Sequence, residues 1–235
     1  MNIILLHEID FIETNIVQLS DYRFNHIRNI LKKKPGESVR IGLLNSKMGS
    51  GEITHIDESS CTIKCTLNID PPAPLNLRLV LALPRPKMFK RTLHTITSLG
   101  IKEIFIINTW KVDKSYWQSP YLEEKSINAT FFKALEQSCD TIMPSIAFKK
   151  LFRPFTEDEL PHIIKDSISL VAHPQEEPYL SKTDKKITLA IGPEGGFNDF
   201  EISLLKQIGF SGFTTGQRIL RVEDAVPAII GSLML

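Results

Sequence analysis

The stretch GPEGGF at residues 192–197 decides the fold of this chain, because it joins an apolar strand to a capped helix. The preceding run, residues 187–191, is wholly apolar but for one threonine and predicts a buried strand. Asn198, with Glu201 three residues on, predicts the N-terminus of a helix. Glycines at such a turn bring backbone N–H groups close to a polar ligand. The alternative is a tight turn that only connects strand to helix.

A second glycine turn follows about twenty residues later, in TGQRILRVE at residues 215–223. Gly216 again follows a short apolar segment, and this repetition favours a ligand crevice over a plain turn. No Gly-Lys-Ser/Thr follows Gly192, and the spacing differs from Gly-x-Gly-x-x-Gly. The ligand is therefore expected to be neither a triphosphate nor a nicotinamide dinucleotide.

From Leu75 onward, strand and helix patterns alternate along the chain. This alternation predicts an α/β domain with a mostly parallel sheet and helices on both faces. Ligands of such sheets bind beyond the carboxyl ends of the strands, where both glycine turns are expected to lie. The predicted strands are 77–83, 103–108, 168–173 and 187–192, and the predicted helices are 86–99, one starting at Ser119-Pro120, 198–208 and 223–235.

The N-terminal part predicts a separate, β-rich unit. Three strand-like runs follow one helix, which Ser20 or Asp21 is expected to cap. Pro71, Pro72 and Pro74 lie within four residues and predict a stiff, extended spacer. The sequence thus predicts a first domain at 1–70, a linker at 71–74 and a second domain at 75–235.

Composition limits the classes of protein. The chain has 42% hydrophobic and 23% charged residues, as is ordinary for a globular protein. No apolar run approaches the roughly 20 residues of a membrane span, so no membrane association is expected. The three cysteines are odd in number and lack metal-ligand spacing, which indicates a reducing compartment, the cytoplasm, and no metal.

The net charge of +1 is low for a nucleic-acid binder, but basic residues are concentrated in two places, between residues 23 and 40 and between 85 and 91. Both clusters could contact phosphates, and both could equally be solvated helix faces. The candidates for RNA contacts are Arg23, Arg28, Lys32, Lys33, Arg85, Lys87 and Arg91.

GPEGGF followed by RILRVE resembles the 16S rRNA uridine-N3 methyltransferases, a branch of the SPOUT superfamily. Weaker similar blocks are HIRNIL at 26–31, TSLGI at 97–101 and EQS at 136–138. The resemblance implies a PUA-like β-barrel, then a SPOUT methyltransferase domain tied in a C-terminal trefoil knot. It also implies a homodimer, S-adenosylmethionine as methyl donor and 16S rRNA of the small ribosomal subunit as substrate.

The resemblance further assigns site residues. Arg221 would hold the uracil or stabilise its developing negative charge, Glu223 would accept the N3 proton, and Glu194 is a second candidate base. The alternative for Arg221 and Glu223 is a local ion pair at a helix start. His26 joins the RNA-binding candidates. The donor is expected against Ala172, His173, Ile191, Gly192, Pro193, Glu194, Gly195, Gly196, Gly216, Ile219 and Leu220.

Several positions depart from the family pattern, namely Lys32, Ser98, Asp140 and Asp224. They leave open a non-catalytic RNA-binding or ribosome-assembly protein, and a related methyltransferase that modifies another nucleotide. The last helix is apolar almost all round from Val226 to Leu235, which predicts that it contributes to a homodimer interface.

Overall fold

A computed structural model describes residues 1–177 and 183–234, and they form two compact units. The first consists of Met1–Ala73 and Phe131–Met143, and the second of Pro74–Thr130 and the chain from Pro144 onward. The sequence reading placed 131–143 in the second domain, and its domain limits stay a prediction. Within the described ranges, no helix is long and apolar enough to cross a membrane.

The first unit contains a six-stranded mixed sheet with the strand order β1-β4-β5-β6-β3-β2. β1 pairs with β4 in parallel, and the other neighbours are antiparallel. Alternate side chains, such as Val17, Ile41 and Ile63, are buried in one core. The strands are β1 (Ile4–Leu6), β2 (Phe11–Glu13), β3 (Ile16–Leu19), β4 (Ser38–Leu43), β5 (Met48–Ile56) and β6 (Cys61–Ile69).

The predicted helix of the first unit is shorter than its apolar pattern suggests. Asp21 caps it, since its side chain accepts the N–H of Arg23 at 2.9 Å. Helix α1 (Tyr22–Asn25) continues into one π-helical turn, His26–Ile30. The segment ends where Lys32 adopts φ +52, before the Pro35-Gly36 pair.

The second unit is built on a parallel six-stranded sheet, as the alternating pattern predicts. Its order is β12-β10-β11-β7-β8-β9. The strands are β7 (Leu77–Ala82), β8 (Glu103–Ile107), β9 (Ser145–Lys149), β10 (Ile168–Ala172), β11 (Ile187–Ile191) and β12 (Ser211–Phe213). The helices are α2 (Pro86–Ser98), α3 (Glu124–Ser138), α4 (Phe152–Pro154), α5 (Leu160–Ile163), α6 (Asp199–Gln207) and α7 (Val222–Met234), and the last part of α3 belongs to the first unit.

The central strands show the burial that is typical of a parallel sheet. Every residue of β7 and β11 is buried, as expected for strands covered on both faces. The one charged member, Arg78, is paired with Glu103 at 2.8 Å and also donates to the hydroxyl of Thr188. The parallel pairing of β10 with β11 and with β12 places the carboxyl ends of these three strands side by side.

Two predicted helix starts have different outcomes. Asn198 does begin a helix: its side chain accepts the N–H of Glu201 at 2.8 Å, and the Glu201 carboxylate accepts the N–H of Asn198 at 2.9 Å. The start predicted at Ser119-Pro120 is wrong. Ser119 caps only the 3-10 turn Pro120–Leu122, and α3 begins at Glu124.

Candidate functional site

A cavity of about 570 Å³ lies at the carboxyl ends of β10, β11 and β12. Parallel α/β sheets bind their ligands at this edge. The volume falls within the roughly 300–1,000 Å³ of small-molecule sites. Its wall is formed by Lys111, residues 172–175, 191–199, 213–215 and 218–220, and three residues of α7, Val222, Ala225 and Ile229.

The first glycine turn forms one wall of this cavity, and a different steric constraint favours glycine at each of its three glycine positions. Gly196 has φ +69, a conformation that L side chains rarely adopt. A Cβ on Gly192 would lie 3.0 Å from the backbone nitrogen of Phe197, so the turn folds closely on itself. A Cβ on Gly195 would lie 2.9 Å from Cδ of Lys111. Gly195 therefore leaves the space that this lysine occupies.

Lys111 is a cavity residue that the sequence reading missed. It lies in the loop after β8, and its Nζ donates to the carbonyl oxygen of Gly195 at 2.7 Å. No motif surrounds it, and its partner is 84 residues away. Arg218 also lines the cavity, as do the acids Glu194 and Asp199. The cavity therefore carries charges of both signs.

Glu194 lies on the cavity wall and is exposed. One of its carboxylate oxygens accepts the backbone N–H of Arg85 at 3.1 Å. Arg85 is the residue that precedes α2. This hydrogen bond orients the carboxylate and connects the glycine turn to the start of α2.

In the second glycine turn, residues that follow Gly216 line the cavity, whereas Gly216 itself does not. Gly216 has φ +127 and its carbonyl oxygen accepts the hydroxyl of Thr214 at 3.1 Å, but it does not line the cavity. Ile219 and Leu220 do line it, and Ile219 is 84% exposed. Two apolar side chains are thus held in solvent beside the crevice.

Ten of the eleven residues predicted to contact the donor line this one cavity, all except Gly216. Of the three predicted catalytic residues, only Glu194 does so. Arg221 is exposed, and Glu223 is half-buried in the first turn of α7. The roles of all three stay predictions.

The prediction that Arg23 contacts RNA is wrong. Its side chain is only 5% exposed, and its guanidinium donates to both carboxylate oxygens of Asp10, to Asp21 and to the carbonyl oxygen of Leu5 at 2.7 Å. Burial alone would lower the pKa of Arg23, but the hydrogen bonds that it donates to the two carboxylates raise it above its ordinary value. Arg23 is a buried, paired charge that holds the first unit together.

The other basic candidates of the first unit are nearer to solvent. Arg28 is exposed, and its guanidinium donates to the carbonyl oxygen of Glu58 at 2.9 Å. Lys32 is exposed, and Lys33 pairs with Glu37 at 3.5 Å. Burial lowers the pKa of His26, so its ring is less readily protonated, and its contact with RNA stays a prediction.

In the second unit, Arg85, Lys87 and Arg91 are exposed along the first half of α2. Since the N–H of Arg85 bonds to Glu194, this basic cluster begins directly beside the cavity wall. Across 1–177 and 183–234, no group of His, Cys, Asp and Glu could hold a metal ion.

Comparison with known proteins gives two matching family models. Residues 71–234 match the RNA methyltransferase domain, and residues 19–65 match the RNA methyltransferase PUA domain. The chain is 28% identical to ribosomal RNA small subunit methyltransferase E of Treponema pallidum, over 97% of this chain and 88% of that protein. It is 30% identical to ribosomal RNA small subunit methyltransferase E 2 of Borreliella burgdorferi, over 90% of this chain and 88% of that protein.

Two solved structures have a similar fold. A ribosomal RNA small subunit methyltransferase E from Neisseria gonorrhoeae, bound to S-adenosylmethionine, superposes with a TM-score of 0.76 at 20% identity, covering 98% of this chain and 95% of that one. A Legionella pneumophila protein in complex with the same cofactor has the same score, identity and coverage. At this identity the two likenesses show the fold alone.

Proposed function

This chain belongs to the family of RNA methyltransferases, and from that premise we propose that it methylates N3 of a uridine in 16S rRNA with S-adenosylmethionine as donor. The observation that carries the proposal is the convergence of ten predicted donor-contacting residues on one cavity at the sheet edge. The RNA class agrees with the relatives from Treponema and Borreliella, which are small-subunit rRNA methyltransferases. The N3 position rests on the resemblance of the GPEGGF and RILRVE motifs.

The cavity has the chemistry that the donor needs. Backbone groups of the turn from Gly192 to Gly196 offer close polar contacts, while Ile191, Ile219 and Leu220 offer apolar surface for a flat ring. When bound, S-adenosylmethionine supplies an electrophilic methyl group on a positively charged sulfur. The residues of the chain hold it, exclude water and orient it toward the base, which supplies much of the rate.

N3 of uracil becomes a nucleophile when its proton leaves. We propose Glu194 as the acceptor of the N3 proton, because it lines the cavity and Glu223 does not. Glu223 is the second candidate. The hydrogen bond from the N–H of Arg85 holds the Glu194 carboxylate in place for this task. Arg221, which does not line the cavity, would neutralise the charge that develops on the uracil oxygens, and Lys111 places a cation at the cavity wall.

The pairing edge of the target uracil is its reactive edge, so the base has to be unpaired and out of its stack. Arg85, Lys87 and Arg91 would bind phosphates beside the cavity, and Arg28, Lys32 and Lys33 would bind phosphates at the first unit. Such a substrate places the protein in the cytoplasm.

Three departures from the family pattern, Ser98, Asp140 and Asp224, are absent from the cavity lining, although Asp224 lies between Val222 and Ala225, which line it. Ser98 is the last residue of α2, and Asp224 lies in the first turn of α7. Asp140 is in the first unit, where its carboxylate accepts the N–H of Ile142 at 2.9 Å. Since none of the three lines the cavity, we favour an enzyme over a non-catalytic RNA-binding protein.

A trefoil knot and a homodimer are part of the proposal. In support of the knot, the N–H of Thr214, just after β12, donates to the carbonyl oxygen of Glu177 in the loop after β10, and α7 then packs on α2. The apolar pattern of α7 does not by itself require a dimer. Val226, Ile229, Ile230 and Leu233 are buried within this chain, the outward Ala228 is small, and Leu235 lies outside the described residues. The dimer therefore rests on the family resemblance.

Methyl transfer from labelled S-adenosylmethionine to purified 16S rRNA tests the proposal. We expect label in 3-methyluridine after nucleoside digestion. Label in another nucleoside would support the alternative of a related methyltransferase, and no label would overturn the activity. Light scattering tests the dimer, since a mass near that of one 26.6 kDa chain at micromolar concentration would exclude it.

A further inference from the structure

A second groove, of about 550 Å³, lies beside the donor cavity in the second unit. It is lined by the loop after β8, the start of α4 and the start of α6, through Asn108, Thr109, Trp110, Val112, Lys114, Phe152, Arg153, Asn198, Phe200 and Glu201. The proposed function does not use this groove, and the two family motifs contribute nothing to it.

Two aromatic side chains border the groove in solvent. Trp110 is 83% exposed and Phe200 is 57% exposed. The backbone under Trp110 is nevertheless fixed, because its N–H donates to the buried carboxylate of Glu201 at 2.7 Å. The same carboxylate caps the first turn of α6, which carries Phe200. Single exposed apolar residues are ordinary, but two aromatic rings on rigid supports around one groove form a platform.

The groove also carries polar features that suit RNA. Lys114 and Arg153 line it, although Arg153 is paired with Glu157 at 2.8 Å. Thr109 is only 4% exposed, and its hydroxyl has no hydrogen-bond partner among the residues that the structure describes. The hydroxyl oxygen is itself buried, so the polar groups that face the groove are the two cationic side chains. Cations beside exposed aromatic rings favour a single strand of RNA over an apolar protein surface as the occupant.

The groove and the donor cavity share a wall. Asn198 lines both, and Phe152 of the groove packs against Phe197 of the cavity with ring centroids 6.5 Å apart. Lys111 of the cavity directly follows Trp110 of the groove in the chain. A strand of RNA with one base at the donor cavity can therefore place a neighbouring base at the groove.

We propose that this groove binds an unpaired nucleotide next to the methylated uridine, with its base stacked on Trp110 and against Phe200. Stacking on aromatic side chains combined with nearby cations is the usual way in which proteins hold single-stranded nucleic acid. The identity of that nucleotide as a neighbour of the methylated base rests on the proposed function. The presence of a stacking site does not, so the two can be tested apart.

Fluorescence reports on the groove directly. The chain has two tryptophans, so the Trp117→Phe variant leaves Trp110 as the only one. We expect titration with a short oligouridylate to quench Trp110, because a stacked base quenches indole emission. Inorganic polyphosphate of equal charge should leave the emission unchanged. Equal quenching by polyphosphate, or none by the oligouridylate, overturns the stacking site.

Binding and turnover provide the second test. Trp110→Ala or Phe200→Ala should weaken oligouridylate binding roughly tenfold, and Trp110→Phe should restore most of it. Both alanine variants should raise KM for 16S rRNA while kcat and donor affinity stay close to wild type. Leu151→Ala removes another exposed apolar side chain that does not line the groove, and it should change none of these values.

The outcomes separate the possibilities. If the wild type methylates 16S rRNA and Trp110→Ala leaves its KM and its oligouridylate affinity unchanged, the groove proposal fails and the proposed function stands. If the wild type does not methylate 16S rRNA but Trp110→Ala still weakens oligouridylate binding, the proposed function fails and the stacking site stands. A variant that halves the mass in light scattering without a change in RNA affinity would assign the groove to a second copy of the chain, and would also overturn the proposal.

Discussion

The amino group of Lys111 donates a hydrogen bond to the carbonyl oxygen of Gly195 at 2.7 Å and so connects the loop after β8 to the glycine turn of the cavity. An added Cβ at Gly195 would lie 2.9 Å from Cδ of Lys111, so a side chain at this position would make the lysine shift. The glycine turn is therefore shaped by a residue outside the motif. Substitutions at the turn have to be judged by what they do to Lys111.

Gly195→Val should lower donor affinity at least tenfold with the fold intact. The branched side chain displaces Lys111 and occupies cavity space, while the backbone of Gly195 does not have the positive φ found at Gly196 and Gly216. Calorimetry with S-adenosylmethionine measures the affinity, and circular dichroism checks the fold. Gly216→Val is a poorer test, because φ +127 strains any substituted residue.

Two control variants test whether the loss of donor affinity in Gly195→Val comes from bulk at the cavity. Gly231→Ala adds a Cβ into open space on α7 and should leave donor affinity unchanged. Lys111→Met removes the hydrogen bond to Gly195 and the positive charge without adding bulk, and it should lower donor affinity by a smaller factor than Gly195→Val. Donor affinity equal to wild type in Gly195→Val would place the donor elsewhere.

Glu194→Gln should lower kcat by at least a hundredfold, because a general base typically contributes a factor of about 10²–10⁴. The amide keeps an oxygen for the N–H of Arg85, so the turn should keep its shape and the donor its affinity. Single-turnover methylation measures the chemical step. Glu223→Gln is the matched comparison, and a larger loss there than at Glu194 would reverse our assignment of the proton acceptor.

Arg23→Ala should destabilise the protein by about 3–5 kcal/mol, since it leaves the carboxylate of Asp10 buried without its partner. Arg28→Ala, five residues away on an exposed side chain, should stay within about 0.5 kcal/mol of wild type. Urea denaturation measures both. RNA binding should show the opposite pattern. Only Arg28→Ala should reduce its salt dependence, by about one unit in the slope of log binding constant against log salt concentration. A stable Arg23→Ala protein would contradict the structural role of this arginine.

The cap of α1 makes stability depend on pH. Burial would raise the pKa of Asp21, but hydrogen bonds to the side chain and backbone of Arg23 lower it below its ordinary value. A carboxyl with a lowered folded-state pKa contributes stability that is fully present above its unfolded pKa, about 4, and is lost as the pH falls through the folded value. Between pH 7 and about pH 3, the free energy of unfolding measured in urea should therefore fall less for Asp21→Asn than for wild type. Identical losses would show that Asp21 does not contribute to the pH dependence of stability.

The local parts of the fold were predictable, and the parts that depend on distant partners were not. Asn198 and Glu201 are three residues apart, so their capping box is visible in the sequence. The second role of Glu201, which accepts the N–H of Trp110 from 91 residues away, leaves no local pattern. Strand β12 has only three residues with a glycine at its centre, and it exists because β10 lies beside it.

The same limit explains the errors at the candidate sites. Arg23 sits in a basic segment and was assigned to RNA, because its partner Asp10 lies 13 residues earlier in a different element. Lys111 was missed because a lone lysine in a loop carries no signal. The glycine turn was found because turns of this kind have a fixed relation to the strand before them and the helix after them.

The proposed activity is methylation of N3 of a uridine in 16S rRNA. Mass spectrometry of nucleosides from 16S rRNA tests it most directly, in a strain that lacks this gene and in the same strain carrying the wild-type gene or Gly195→Val. Our account predicts that 3-methyluridine disappears on deletion, returns with the wild-type gene and does not return with Gly195→Val. Unchanged 3-methyluridine in the deletion strain would contradict it.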